Sequence, residues 1–559
     1  MWSSLKFAIE ASTTSWGALL LCSLLVGWHL LSMRKQARAP SKFARPQSTL
    51  PVLGNTVDLM FTHQEDIHDW MLAECRRCKG RPWVLAALGR PMSLVLSNVE
   101  AFEDVLQRKF DQFGKRSAWL VSDVFGDGIF AADGVSWIHQ RKTASHLFSL
   151  HMMRESMEQV VREQAAVLCK TLFAHLNSNQ SSSMADQHGV PVNLKYTMDW
   201  YATNVFTRVG FGVDLDSLPS QEHDEFFRAF TRLPIAIHRR IQQPGWLWRI
   251  KRALNLGYEK QLKLDMKRVD DVIYQVISRS MTSKSSEDPR RLPDLISLFL
   301  AKESSEYRDR DTKQEGGAAA TRSVKTTPKL IRDMAFNFTA AGRGTTSQSL
   351  QWFIIMLNRY PSVERKIREE LLAKLPQLFE SSSSPPTMND VQQLVYLEAA
   401  IKESLRLNPV APLIGRTATQ DVCFSDGTFI TSGTRVVIPT YAVARLKSIW
   451  GEDAAEFNPE RWIDPQTGKL LVISPYKFLV FLAGPRSCLG AKLAMLELKV
   501  ALATVLSKFH LRVLRDPFEI GYDASISLPV KGDVLAVVEP AKMVVPPSAE
   551  NVERSAGAA

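Results

Sequence analysis

Six cysteines in 559 residues, at 22, 75, 78, 169, 423 and 488, are too few for a disulfide scaffold and suit a reducing compartment. Cys75 and Cys78 stand as C-x-x-C, but a zinc site of that type needs a second pair at matching spacing, which is missing. Helical spacing on a surface or half-buried face is the expectation for them. No repeat of solenoid period appears, and no linker cuts the middle of the chain into independent units. A complete glycine-rich dinucleotide fingerprint is lacking, as is a flavin domain. No nucleic-acid motif accompanies the scattered bases. The net charge of +11 is therefore expected to meet a membrane surface or an acidic protein partner, not nucleic acid.

One apolar run is present. Residues 16–33, WGALLLCSLLVGWHLLSM, carry no Asp, Glu, Lys or Arg. As a helix they reach roughly 27 Å, near the lower limit for a bilayer span. Trp16 and Trp28 suit the interfaces, and Arg34, Lys35, Arg38, Lys42 and Arg45 follow at once. Ala37-Arg38-Ala39 resembles a cleavage site, but positive charge directly after the run opposes translocation. The expectation is an uncleaved anchor and basic flank over residues 1–39, with the following domain on the cytosolic side. Pro40, Pro46 and Pro51 make a stiff neck. The body is expected over 40–545, with polar surface loops at 302–326 and 380–387 and a loose Ala/Ser/Pro-rich tail over 546–559.

From about residue 65 apolar residues recur mainly at helical spacing, with β-like stretches at 92–98 and 428–438. A helix is predicted from Pro328 to Tyr360, stopped by Pro361. Its apolar residues are spread all round, so it is expected to be buried. Gly342 and Gly344 in its middle cost about 1 kcal/mol each relative to alanine. Either a local widening beside a ligand or close helix packing accounts for them.

Residues 481–490 read Phe-Leu-Ala-Gly-Pro-Arg-Ser-Cys-Leu-Gly, followed by an amphipathic helix from Ala491 to Phe509. A tight loop with backbone amides near the sulfur, and a helix start beside it, both favour a thiolate. Such a thiolate suits heme iron. A cysteine without this context would read as a small buried hydrophobe.

Phe481, Gly484, Arg486, Cys488 and Gly490 stand at the spacing of the cytochrome P450 cysteine loop, which the segment resembles. Glu403-Ser-Leu-Arg406, then Phe457-Asn-Pro459-Glu460-Arg461-Trp462, resemble the segments that form the family's Glu–Arg–Arg network. Trp137-Ile-His-Gln-Arg141 resembles its W-x-x-x-R helix. The likeness covers about residues 45–540. Ala341-Gly342-Arg343, Thr345-Thr346-Ser347, Ile449 to Asp453 and Gly257 to Lys260 look most like membrane-bound fatty-acid ω-hydroxylases of plants and fungi.

The resemblance implies a mainly α fold with small β-sheets, preceded by one N-terminal transmembrane helix. It implies heme b with Cys488 as the axial ligand, in a loop that includes Phe481. Trp137, Arg141, Arg486 and Arg416 are then expected to donate to the heme propionates. It further implies insertion of one oxygen atom from O2 into a C–H bond of a lipophilic substrate, foremost ω-hydroxylation of a fatty acid. Hydroxylation of another lipid or a sterol, a heme-thiolate isomerase or peroxygenase, and a non-catalytic heme sensor are the alternatives. Electrons are expected from a separate flavoprotein, NADPH-cytochrome reductase, docking where Lys142 and Lys492 lie, at the endoplasmic reticulum membrane. Thr345 is expected beside the O2 site, and Phe336, Val410, Leu413 and Leu528 at the substrate. The chain departs from the family at one place: Gly344 stands where an acid usually precedes Thr345.

Overall fold

The computed structural model describes residues 43–115, 120–181, 190–213, 220–282, 294–296, 298–299, 327–380 and 382–541, with Ser23 and Gly27. Apart from those two residues, the expected anchor lies outside the described residues. So do the polar stretch 302–326 and the tail 546–559. No described helix is long and apolar enough to cross a membrane.

Helices make up most of the described chain. A five-stranded sheet runs β1-β2-β8-β5-β3, from Trp83–Leu85, Ser93–Val95, Phe113–Gly114 (β3), Ile414–Ala418 (β5) and Arg435–Ile438 (β8). A three-stranded sheet pairs β10 (Leu535–Pro540) with β4 (Val192–Asn193) and β9 (Phe509–Val513), and β6 (Val422–Cys423) pairs with β7 (Phe429–Ile430). The stretch expected as one strand over 428–438 is thus two strands separated by a turn at Gly433, whose φ of 86° glycine tolerates best.

The central helix runs Pro328–Arg359. The Thr327 side chain accepts the Leu330 N–H at 3.1 Å, and Pro328 occupies the first turn, where its missing N–H costs nothing. Buried residues extend from Leu330 to Leu357 around its circumference. The helix keeps α geometry throughout, so the widening considered for its glycine pair is absent. Gly342 answers to packing instead. A Cβ there would lie 2.1 Å from the Phe206 ring on helix Leu194–Phe211. Gly344 has no such constraint, since the nearest atom to an added Cβ is Gln348 Nε2 at 3.8 Å.

Cys75 and Cys78 are buried rather than on a surface face, in a cluster with Trp70, Met71 and Trp83. The Trp83 indole N–H points at the Cys75 sulfur, 3.4 Å away.

Glu403 and Arg406 lie fully buried on helix Val395–Leu407. Arg406 donates to both Glu403 oxygens, at 2.7 and 2.8 Å. Arg461 Nε (3.3 Å), the Trp462 indole (2.9 Å) and the Asn458 N–H (3.0 Å) also donate to the carboxylate. The remaining Arg406 N–H groups go to the carbonyls of Ala444, Ala454 and Glu456. One carboxylate thus ties three chain segments together at a point from which water is excluded. Glu403→Gln leaves two guanidiniums facing a neutral amide, and we expect a loss of about 3–5 kcal/mol. Urea unfolding followed by tryptophan fluorescence checks this, and an unchanged midpoint contradicts it.

Candidate active site

A cavity of about 1000 Å³ lies between the central helix, the cysteine loop and the five-stranded sheet. Among the described cysteines, Cys488 alone lines it. Its loop is held by a Cys488 N–H to Phe481 carbonyl bond of 2.8 Å and by Arg141, which donates to the Ser487 carbonyl at 2.8 Å. Gly484 has φ 68°, and a Cβ there would meet the Leu106 carbonyl oxygen at 1.9 Å, so only glycine passes. Helix Ala491–Leu506 begins just after. Burial pushes the Cys488 thiol above its ordinary range, while the Gly490 N–H and the Arg141 guanidinium pull it down. The loop amide and Arg141 thus favour the thiolate, as expected from sequence, and burial opposes it. A metal cation bonded there would favour the thiolate further.

Beside the loop the structure gathers Trp137, Arg141, Arg416 and Arg486 on the cavity wall, and adds Lys115. Arg486 pairs with Asp133, donates to the Ala132 carbonyl at 3.1 Å and lies 4.3 Å from the Trp137 ring centre. Arg416 is buried, and its recorded hydrogen bond goes to the neighbouring Gly415 carbonyl, 2.8 Å away. Burial and Arg486 bring its pKa down to about 10. Lys115 donates to the Phe130 carbonyl at 2.7 Å. Burial, then Arg416 and Arg486, hold its ammonium well below the usual lysine range. Lys115, Arg416 and Arg486 thus share a single neighbouring carboxylate, Asp133, with Arg141 beside them. A group bearing two carboxylates would balance them, and the Cys488 sulfur opens into the same space. These residues fit heme b. Lys115 escaped the sequence reading because it sits in no motif; only the β3–β5 pairing brings it to Arg416.

The central helix supplies another wall. Phe336, Ala340, Ala341, Gly344 and Thr345 line it. Thr345 Oγ1 donates to the Ala341 carbonyl at 2.6 Å, which commits its proton to the helix and leaves its lone pairs toward the cavity. Val410 and Leu413 also line the cavity. Leu528 does not. It is fully buried in the core, and its carbonyl is taken by the Trp352 indole at 2.8 Å. Ile526, Ser527 and Pro529 face the cavity in its place, because the chain at that point is a bend rather than an apolar strand.

The sequence reading also missed Glu497, on the helix after the cysteine. It is buried, lines the cavity, and its Oε2 has no hydrogen-bond partner. Burial pushes its carboxyl up to about 8, against a lowering by the Thr346 hydroxyl. A carboxylic acid neutral at pH 7 therefore lies next to the residue that follows Thr345.

Fold, cysteine loop and cation cluster together define a heme-thiolate enzyme. The profile described as Cytochrome P450 matches residues 44–535, and the chain belongs to that family. It is similar to Cytochrome P450 CYP94D108 of Paris polyphylla, 32% identical over 89% of this chain and 92% of that protein. Cytochrome P450 86B1 of Arabidopsis thaliana is 31% identical, covering 89% and 85%. Cytochrome P450 94A2 of Vicia sativa is 29% identical, covering 93% and 97%. The protein is accordingly a monooxygenase that uses heme b with an axial cysteine thiolate.

Because the folded Glu497 carboxyl is raised, its protonated form contributes stability that is lost as pH rises from near 4.5 toward 8. Glu497→Gln is expected to match the wild type near pH 4.5 and to become the more stable protein above it. The gap grows by up to about 1.4 kcal/mol per pH unit. Melting midpoints at pH 5 and pH 8 test this, and equal gaps at the two values contradict it.

Proposed function

We propose that the protein hydroxylates the ω end of a fatty acid at the cytosolic face of the endoplasmic reticulum membrane, with electrons from a separate NADPH-dependent reductase. The observation that carries this reading is the cavity lining. Leu120, Val124, Phe125, Phe230, Leu233 and Phe336 leave a largely apolar space that reaches Cys488, which suits a long acyl chain.

Held by Cys488, heme b supplies O2 activation and C–H oxidation, with the thiolate's electron donation favouring O–O cleavage. The chain's own residues bind, orient and move protons. Lys115, Trp137, Arg141, Arg416 and Arg486 would hold the propionates. Thr345 Oγ1 keeps its lone pairs open to accept from a water in the cavity. Glu497 carries a proton at neutral pH next to Thr346, so the acid missing at 344 is met from a neighbouring helix. Val410, Leu413 and Phe336 exclude bulk water and position the chain.

The helix Gly245–Ala253 supports a membrane surface. Trp246 and Ile250 are exposed on it, Leu254 and Leu256 follow, and Arg249, Lys251 and Arg252 are interleaved. Trp248 on the same helix is instead buried against Arg240. Lys142 and Lys492 are exposed and open to an acidic reductase face.

Purified protein with reductase, NADPH and lauric or oleic acid is expected to yield the terminal alcohol, identified by mass spectrometry. A different lipid product, or none from either acid, sinks the fatty-acid reading. Thr345→Ala is expected to lower product formed per NADPH consumed several-fold. Gly344→Asp has space for its side chain and is expected to raise that ratio if proton delivery limits turnover. Coupling unchanged in Thr345→Ala refutes the role given to that hydroxyl. The bare Gly344 position also favours a second reading, a peroxide-using or isomerising enzyme. Its signature is a thiolate-type band in the reduced carbon monoxide complex without NADPH-driven turnover.

A further inference from the structure

Where one face of the five-stranded sheet borders the cavity it carries a guanidinium with no counter-charge among the described residues. Arg435, on β8, stands in register with Ser93 on β2 and with Thr417 on β5. Residues directly opposite in a sheet point to the same side, so these share a face with Val437 and Gly415. All of them line the cavity, and Leu85, paired with Ser93, joins them. Arg435 Nε is enclosed and lacks any hydrogen-bond partner, and among the described residues its guanidinium makes no ion pair. It retains accessible surface nonetheless, and the cavity is where its side chain borders open space. Arg90 lies near enough for like-charge repulsion to be felt, and its own guanidinium caps the carbonyls of Arg240 and Gln243. Buried charge is ordinarily paired, and a second cation nearby makes the lack of an anion more costly.

Arg416 does not share this situation. It pairs across the strands with Val436, so it points to the opposite face of the sheet and belongs with Lys115 and Arg486. The sheet thus separates two groups of cations, one beside the cysteine loop and one on the apolar wall.

We propose that Arg435, backed by Arg90, binds the carboxylate of the substrate and so fixes which end of an amphipathic acid approaches Cys488. This rests on the fatty-acid reading above and adds to it the residue that selects an acid over its neutral analogues. Guanidinium and carboxylate match as a two-bond fork, and the desolvated wall makes the pair sensitive to loss of charge.

Full-length, heme-loaded protein is titrated with laurate, methyl laurate and dodecanol, with binding read from tryptophan fluorescence and from the optical spectrum. The wild type is expected to prefer laurate by about tenfold or more. Arg435→Met should abolish that preference while methyl laurate affinity stays within about twofold, and Arg435→Lys should restore part of it. Absence of an acid preference in the wild type overturns the proposal, as does its survival in Arg435→Met. Loss of heme from Arg435→Met, to the extent seen in Arg416→Met, also overturns it, because the guanidinium then serves a propionate. Product analysis separates the two ideas. Laurate bound through Arg435 but never oxidised keeps the subsite and removes the fatty-acid reaction. Laurate hydroxylated with its preference intact in Arg435→Met does the reverse.

Discussion

Arg240 is enclosed by protein, and every charge on it is answered. Glu259 accepts from Nε and Nη2 at 2.7 and 2.6 Å, and Asp123 accepts from Nη1 at 2.7 Å. Arg406 with Glu403, Arg332 with Asp270 and Asp333, and Arg368 with Glu364 repeat the pattern. Each of these buried cations faces a carboxylate, because an unpaired buried charge costs several kcal/mol, whereas Arg359 and Arg445 are held by backbone carbonyls. Around the cavity the pattern fails. Lys115, Arg416 and Arg486 share Asp133, and Arg435 has no acid among the described residues. The deficit of negative charge coincides with the space, and that coincidence ties the fold to what the space holds. A ligand bringing carboxylates relieves a strain in charge balance that the polypeptide carries alone.

The cysteine loop depends on the same balance. Its backbone shape is set sterically by Gly484 against the Leu106 carbonyl, so the sulfur is positioned before anything binds. Its electrostatics are not complete in that state, since burial outweighs the Gly490 N–H and Arg141. Position is supplied by the chain, and charge is supplied by the occupant. Arg141 links the two, holding the Ser487 carbonyl while facing the cavity.

Short-range rules made much of this legible. Thr327 and Pro328 mark a helix start by chemistry local to four residues, and Pro361 marks its stop. The cysteine loop, the W-x-x-x-R helix and the Glu–Arg pair are contiguous motifs, so their residues could be named without a fold. Lys115, Arg435 and Glu497 could not. Each is an ordinary charged residue whose meaning comes from strand pairing or helix contact across hundreds of positions. Leu528 fails for the opposite reason. Apolar character made it a natural liner, yet at a bend neighbouring side chains diverge, and Leu528 took the core while Ile526, Ser527 and Pro529 took the cavity.

Gly342 and Gly344 show how unlike two adjacent-looking glycines can be. The first is a steric requirement, since Phe206 occupies the place of its side chain. The second is open space, so no packing demand removed the acid that the family usually carries there. A carboxyl survives nearby on another helix, at Glu497, enclosed and uncharged at neutral pH. An acid at an enclosed position trades easy ionisation for a held proton. The cavity wall at 344 is neutral, which suits an apolar chain lying across the helix, and under the proposed reaction the proton would travel past Thr346 and Thr345. Substrate accommodation and proton supply would then fall to different helices, with the two hydroxyls between them as the connection.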